Sequence, residues 1–414
     1  MAVTENIWAE VQGMRRRAVV ILIAAVMLSG LPQRGVGALP ATVKLGAVIP
    51  LTGRFAGGGG QVRAGYEFAV VDVNARGGVR VGDRQIPLEL VVLDDESDPT
   101  KTVSRLETLV AQQGVAAYLG GFGSDLHAAA AAVAEKNRIP YCGVAFALHA
   151  IHQQGFKFLF SPFIKSPDIA IGTYRFLNAS VPSEQRPRSV AIFAERTDWG
   201  RELARLWTTR SAEFGYRVVV AEEYSVGARD FSDIILRAKA AGAEAVFSVP
   251  TPPDGLAIIR QMKELDFSPK AIVMIRAADA VSWTQALGKD GDYVVLAPGW
   301  HHAFTYPGVA EINAKHQQRF GRPADVLVGP SYACVQIVVN AIERAGSLDP
   351  VAIRDAMATT DLQTVEGPVR FRSDGTGIVP FVLVQWQGGV QQLVWPQGAG
   401  ATAFQYPAPP WRGR

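Results

Sequence analysis

Cysteine is nearly missing: 414 residues contain two, Cys142 and Cys334. Two thiols that far apart define neither a disulfide framework nor a metal-ligand cluster. They read as two separate buried thiols or as one pair in an oxidising compartment. An excess of either charge is also lacking, with Lys+Arg 41 against Asp+Glu 38 and a formal net charge of +3. The charges are scattered, which excludes the basic face that nucleic acid requires. The histidines (His127, His149, His152, His301, His302 and His316) form no HExxH pattern, and no serine sits in a G-x-S-x-G elbow. Hydrolytic chemistry therefore has no support, and neither a metal nor a cofactor is expected.

Long apolar runs are scarce. The unbroken run Ala18–Leu28 follows Arg15-Arg16-Arg17 and precedes the small residues Gly35-Val36-Gly37-Ala38. It is shorter than the roughly 20 residues of a spanning helix. Basic, apolar and small segments in that order read as a secretory signal over residues 1–38, with an uncleaved anchor as the alternative. Met14 is a second candidate start, which would leave residues 1–13 as an extension. The expected product is periplasmic or extracytoplasmic, soluble after cleavage and mostly monomeric. No later segment looks transmembrane.

What the chain does have is alternation. At 48% hydrophobic it is too long for one ordinary domain, so two are expected. The organising unit is Lys44–Asp95. Leu45–Ile49 reads as a buried strand, Gly53–Gly60 as a glycine loop, Val62–Val73 as a helix ended by Gly77-Gly78, and Leu88–Leu93 as a second strand. Asp98 and Pro99 predict the next helix start. Strand–helix repeats continue to about residue 297, with a crossover near Lys165 and a Gly388-Gly389 hairpin near the end. This pattern predicts α/β architecture with two Rossmann-like doubly wound lobes. The second run of alternation begins near Lys165. Residues 396–414, rich in Pro and Gly, read as a flexible tail.

Open α/β sheets bind ligands at the carboxyl ends of their strands, so candidate site residues are sought there. Gly57–Gly60 precedes a helix, but no Lys-Ser/Thr completes a phosphate loop, leaving a structural loop or one wall of a ligand site. Asp94, Asp95, Glu96 and Asp98 resemble a metal cluster, yet Asp98 is better used as a helix cap and the rest as a solvated loop. Ser124 could offer a hydroxyl beside helix-terminal N–H groups, or simply cap. Trp199 stands at a strand-to-helix turn, where an aromatic either stacks on a ligand or packs as a lid. Arg276 ends an apolar strand, where it either meets a carboxylate or is solvated.

Across residues 42–395 the chain resembles the periplasmic solute-binding proteins of branched-chain and hydrophobic amino-acid ABC transporters. The landmarks are VKLGAVIPLTG, GYEFAVVDVNARGG, LDDESDPTKT, YLGGFGS, VAIFAERTDWGRELA, RDFSDIILRAKAAGAEAVF and GPSYACVQIVVNAIERAG. The resemblance implies a type I periplasmic binding fold, with two lobes, residues 42–163 plus 298–371 and residues 164–297 plus 372–395, joined by three crossovers, that close on a solute and deliver it to an inner-membrane ABC permease. It implies a carboxylate-holding serine at Ser124. The alanine and threonine after the fourth strand fall near Phe146 and Ala147, so the hydroxyl is lost. The cleft tyrosine corresponds to Trp199, and a second-lobe tyrosine falls near Thr251. The opening-loop tryptophan falls near Gly58, which would leave room, and the early cysteine pair of close relatives is missing. The acid that receives an amino group falls near Arg276, whose charge would repel an ammonium and attract an acid. The expected ligand is thus a carboxylate without an essential amino group, aromatic or dicarboxylic, with an amino acid still open. An extracytoplasmic sensor and a cleft enzyme are the alternatives to transport.

Overall fold

The computed structural model describes residues 39–398 and 400–414; the export signal expected over residues 1–38 lies outside them. Strand β1 (Val43–Ile49) is the apolar run VKLGAVI, buried along nearly its whole length and closed by Pro50, which has no N–H to continue a ladder. Helix α1 (Ala56–Ala75) follows, then a short hairpin of β2 (Val79–Val81) and β3 (Arg84–Ile86). β4 (Leu88–Asp94) returns parallel to β1, pairing Val43 with Leu88 through Ile49 with Asp94. α2 (Pro99–Thr108) starts as predicted, the Asp98 carboxylate accepting from the Thr100 and Lys101 amides. β5 (Ala117–Leu119), α3 (Ser124–Asn137), β6 (Tyr141–Cys142) and β7 (Leu159–Phe160) complete a parallel sheet of order β4-β1-β5-β6-β7.

The chain then enters a second lobe through α4 (Ser166–Ser180). There β8 (Ser189–Glu195), α5 (Asp198–Arg210), β9 (Arg217–Tyr224), α6 (Ser232–Ala240), β10 (Ala245–Val249), α7 (Pro252–Glu264), β11 (Ala271–Met274), α8 (Ser282–Leu287) and β12 (Val294–Leu296) alternate. It returns as α9 (Val309–Phe320) and α10 (Val328–Ala345), the latter laid along α1. A Cβ on Gly65 would stand 2.7 Å from that of Ser331, so glycine sets this helix spacing. α11 (Pro350–Ala358) and the small sheet β13 (Asp361–Thr364), β14 (Gly367–Phe371) and β15 (Gly377–Ile378) follow. A third passage carries β16 (Leu383–Gln387) and β17 (Val390–Trp395) back to the second sheet, whose order is β17-β16-β12-β11-β10-β8-β9. Gly388 and Gly389, at φ 60° and 76°, make the hairpin turn between them. Ser161 pairs with Thr376, so the first and third passages run side by side. Phe193, Ile258, Ile272, Trp283 and Trp386 anchor the second core, each such side chain worth about 1.5–3 kcal/mol of burial. These are the two α/β lobes that the sequence pattern predicts, joined by the three passages that the family resemblance implies.

Two expectations change. The glycines expected as a loop, Gly57–Gly60, are the first turns of α1. Their lack of side chains lets the helix start press against its neighbours, and a Cβ on Gly57 would lie 3.0 Å from that of Ala280 in the other lobe. The chain end, expected to be flexible, is packed: Trp411 is buried, its indole N–H donates to the Phe267 carbonyl at 2.7 Å, and Ala408 N donates to Lys270 O at 2.9 Å. An aromatic anchor in a proline-rich segment supplies the burial that periodicity could not reveal. Among the described residues no helix is long and apolar enough to cross a membrane.

Candidate functional site

The segments after β8 and β11 in the second lobe meet the start of α1 and the segments after β5 and β6 in the first. β8 ends on Glu195, and Thr197 caps α5 by accepting from Gly200 N at 3.1 Å, which sets Trp199 in the first helical turn. After β11 the backbone turns sharply at Arg276, where φ is 78°. That left-handed conformation is uncommon for a residue with a side chain and marks a position held by its surroundings.

Arg276 is buried at 6% exposure. One Nη donates to the buried Glu195 carboxylate, and Nε donates to the Pro250 carbonyl at 3.2 Å. The guanidinium carbon lies 4.9 Å from the ring centroid of Trp199 and 5.2 Å from that of Phe55, a cation held near two aromatic faces from opposite lobes. Glu195 also accepts from the Thr197 hydroxyl at 2.9 Å. The Trp199 indole donates to Ser166 Oγ at 3.2 Å, and Ser166 donates to the Ala147 carbonyl at 2.9 Å. The cation, the ring and the first lobe are thus mechanically linked.

Beside this cluster lies a narrow space of about 20 Å³, room for about one water, walled by Phe122, Phe146, Phe163, Trp199 and Ile275, with Arg276 and Asp279 as its charged groups. Both lobes supply walls, so a solute enters only when they part. A second space, which shares Trp199 and Arg276 with the first, touches Ser124, Leu148, Glu195 and Thr197. Asp279 is 6% exposed and its Oδ1 has no hydrogen-bond partner. Burial pushes its carboxyl up to about 8, against the opposing pull of Arg276.

Contacts across the cleft hold the lobes together. Gln61 donates to the Asp279 carbonyl at 3.0 Å and accepts from Leu327 N at 3.2 Å. Glu202, on α5, accepts from the His149 and Ala150 amides at 2.8 and 2.9 Å. Among the described residues no group of three His, Cys, Asp or Glu side chains is placed to hold a metal.

Of the residues singled out from sequence, Phe146, Ala147, Trp199 and Arg276 line the main space and Ser124 the second. Ser124 Oγ accepts from the Ala147 and Leu148 amides at 3.4 and 3.3 Å, bracing the loop after β6. Phe146 packs between His127 and His152, with ring centroids 4.4 and 5.6 Å away. Two do not join the site. A Cβ on Gly58 would lie 2.6 Å from the Phe122 ring, so that position is filled by an aromatic and leaves no room. Thr251 caps α7, accepting from Asp254 N at 3.4 Å, and lines neither space. Glu195, Asp279, Phe55, Phe122 and Phe163 were not anticipated. Glu195 and Asp279 carry a usable signal, each an acid at or just past the end of an apolar strand.

Comparison with known proteins agrees with this fold. The profile described as periplasmic binding protein matches residues 42–391. The "Leu/Ile/Val-binding protein homolog 7" of Brucella abortus is 23% identical over 412 residues, covering 95% of this chain and 100% of the relative. The leucine binding protein LivK of Thermotoga maritima superposes with a TM-score of 0.77 at 23% identity, over 85% of this chain and 97% of that one. A solute binding protein of R. palustris in complex with benzoate gives 0.73 at 17% identity, over 87% and 97%. The fold and the profile point to transport-associated binding, not catalysis. The chain belongs to the periplasmic binding protein family.

Proposed function

We propose that this protein is the extracytoplasmic receptor of an ABC transporter for a small carboxylate with a compact, preferably aromatic body. Arg276 carries the reading: it is a buried guanidinium in a cavity that both lobes wall, with aromatic rings around it. A guanidinium has five N–H donors, and the Glu195 and Pro250 contacts leave several for an incoming carboxylate. Phe122, Phe146 and Phe163 supply apolar surface for a flat body. The likeness to a benzoate-bound protein supports the same ligand class. Closure needs no covalent step. A ligand that touches both lobes favours the closed form, and the closed surface is what a permease would read.

A second reading, an amino-acid ligand, is favoured by the unpartnered Asp279 carboxyl and by the names of the relatives. Calorimetry with benzoate, phenylacetate, phenylalanine and leucine separates the two. The carboxylate reading expects the deaminated acids to bind at least tenfold more tightly than the amino acids. Tighter binding of leucine or phenylalanine than of either acid would overturn it.

A further inference from the structure

Asp279 belongs to the cavity but not to any ion pair. Its Oδ1 is unpartnered, its backbone carbonyl is fixed by Gln61 from α1 and by Gln391 from β17, and its carboxyl sits among apolar walls. The groups reaching it from those packed elements are amides. The charge acting on it is Arg276, three residues earlier in the same turn, and that cation is already claimed by Glu195.

Charge counting then decides the state of Asp279. With Glu195 and Asp279 both ionised, the site holds two anions and one cation. A ligand carboxylate would make three anions around a single guanidinium, in a cavity with mostly apolar walls. Like charges in low dielectric disfavour ionisation of at least one member. Glu195 has the guanidinium as its partner, and a ligand carboxylate that bonds to Arg276 would share it. Asp279 has no such partner. A ligand ammonium meets the opposite difficulty. Arg276 repels it, and the two aromatic faces that could stabilise a cation already flank the guanidinium.

We infer that Asp279 binds the ligand as a neutral carboxylic acid, donating its O–H to a carboxylate oxygen of the solute. This rests on the carboxylate reading above. Asp279 is then a specificity residue that selects against amines, and the affinity for acids carries a proton dependence. The upward displacement of its carboxyl to about 8 by burial agrees with a proton present at neutral pH.

The test is calorimetric titration of benzoate into the wild type, Asp279→Asn and Asp279→Ala at pH 6 and pH 9.5, with each variant's unfolding midpoint recorded. Asn keeps a donor where the protonated acid has one, so D279N should bind benzoate within about threefold of the wild type at pH 6. D279A should lose about 10- to 100-fold, the usual loss for a hydrogen bond to a charged group. The wild type should weaken at least tenfold between pH 6 and 9.5, while D279N should hold nearly constant. Benzoate binding by the wild type that D279N abolishes, although the variant melts normally, overturns the donor role and leaves the carboxylate reading intact. A flat wild-type pH profile does the same without depending on a variant's folding. A wild type that ignores benzoate and phenylacetate but binds leucine overturns both.

Discussion

Glu195→Gln removes the charge that offsets Arg276 while preserving shape. The guanidinium is 6% exposed and Glu195 2%, so water cannot replace the lost partner. Breaking a buried pair from one side costs about 3–5 kcal/mol. Glutamine still offers an oxygen to the Nη donor, which places the loss near the lower bound, about 3 kcal/mol. At about 2–4 °C per kcal/mol for a unit the size of the second lobe, the ligand-free midpoint should fall by about 6–12 °C. A ligand carboxylate would then supply the missing negative charge. Differential scanning calorimetry with and without excess benzoate should therefore show a larger ligand-induced rise in the variant than in the wild type. An unchanged midpoint would mean that the pair does not hold Arg276. A rise no larger than that of the wild type would mean that the carboxylate does not meet the guanidinium.

Other perturbations test the closure and the packing. Glu202→Ala deletes two charge-assisted bonds across the cleft, and small-angle scattering should show the ligand-free molecule shifted towards a larger radius of gyration. An unchanged profile would assign the latch to other contacts. Gly58→Ala drives a methyl into the Phe122 ring and should destabilise by about 1–3 kcal/mol, as overpacking does; a neutral effect in urea unfolding would show that the ring can yield. Burial lowers Lys165 from 10.5 to about 7, so the unfolded chain binds more protons between those values and wild-type stability gains with rising pH across that window. Lys165→Met lacks that gain, and its stability relative to the wild type should be most favourable below pH 7 and decline towards pH 10. A constant difference across the window would contradict a neutral buried lysine.

Much of the fold was legible because it rests on local rules. The apolar run of β1, the Asp98-Pro99 start of α2 and the Gly388-Gly389 turn are each specified by a few adjacent residues. The site was legible only in part. Trp199 and Arg276 could be placed because strand ends in α/β sheets converge on a crevice. Phe55, Phe122 and Phe163 could not, because nothing in spacing says which of many apolar residues will face a cavity. Gly58 misled for a related reason. A missing side chain reads as open space until the chain supplies Phe122 from the loop after β5. Glu195 was not anticipated: its place at a strand end carries a signal, but that it would neutralise Arg276, 81 residues away, depends on β8 and β11 flanking β10.

The central claim is that the interlobe cavity selects a carboxylate through Arg276. Mass spectrometry of the small molecule that stays with the protein through gentle, non-denaturing purification tests it most directly. The account predicts a compact acid, aromatic or apolar in body and without a primary amine. Recovery of leucine, isoleucine or valine at stoichiometric occupancy would contradict it.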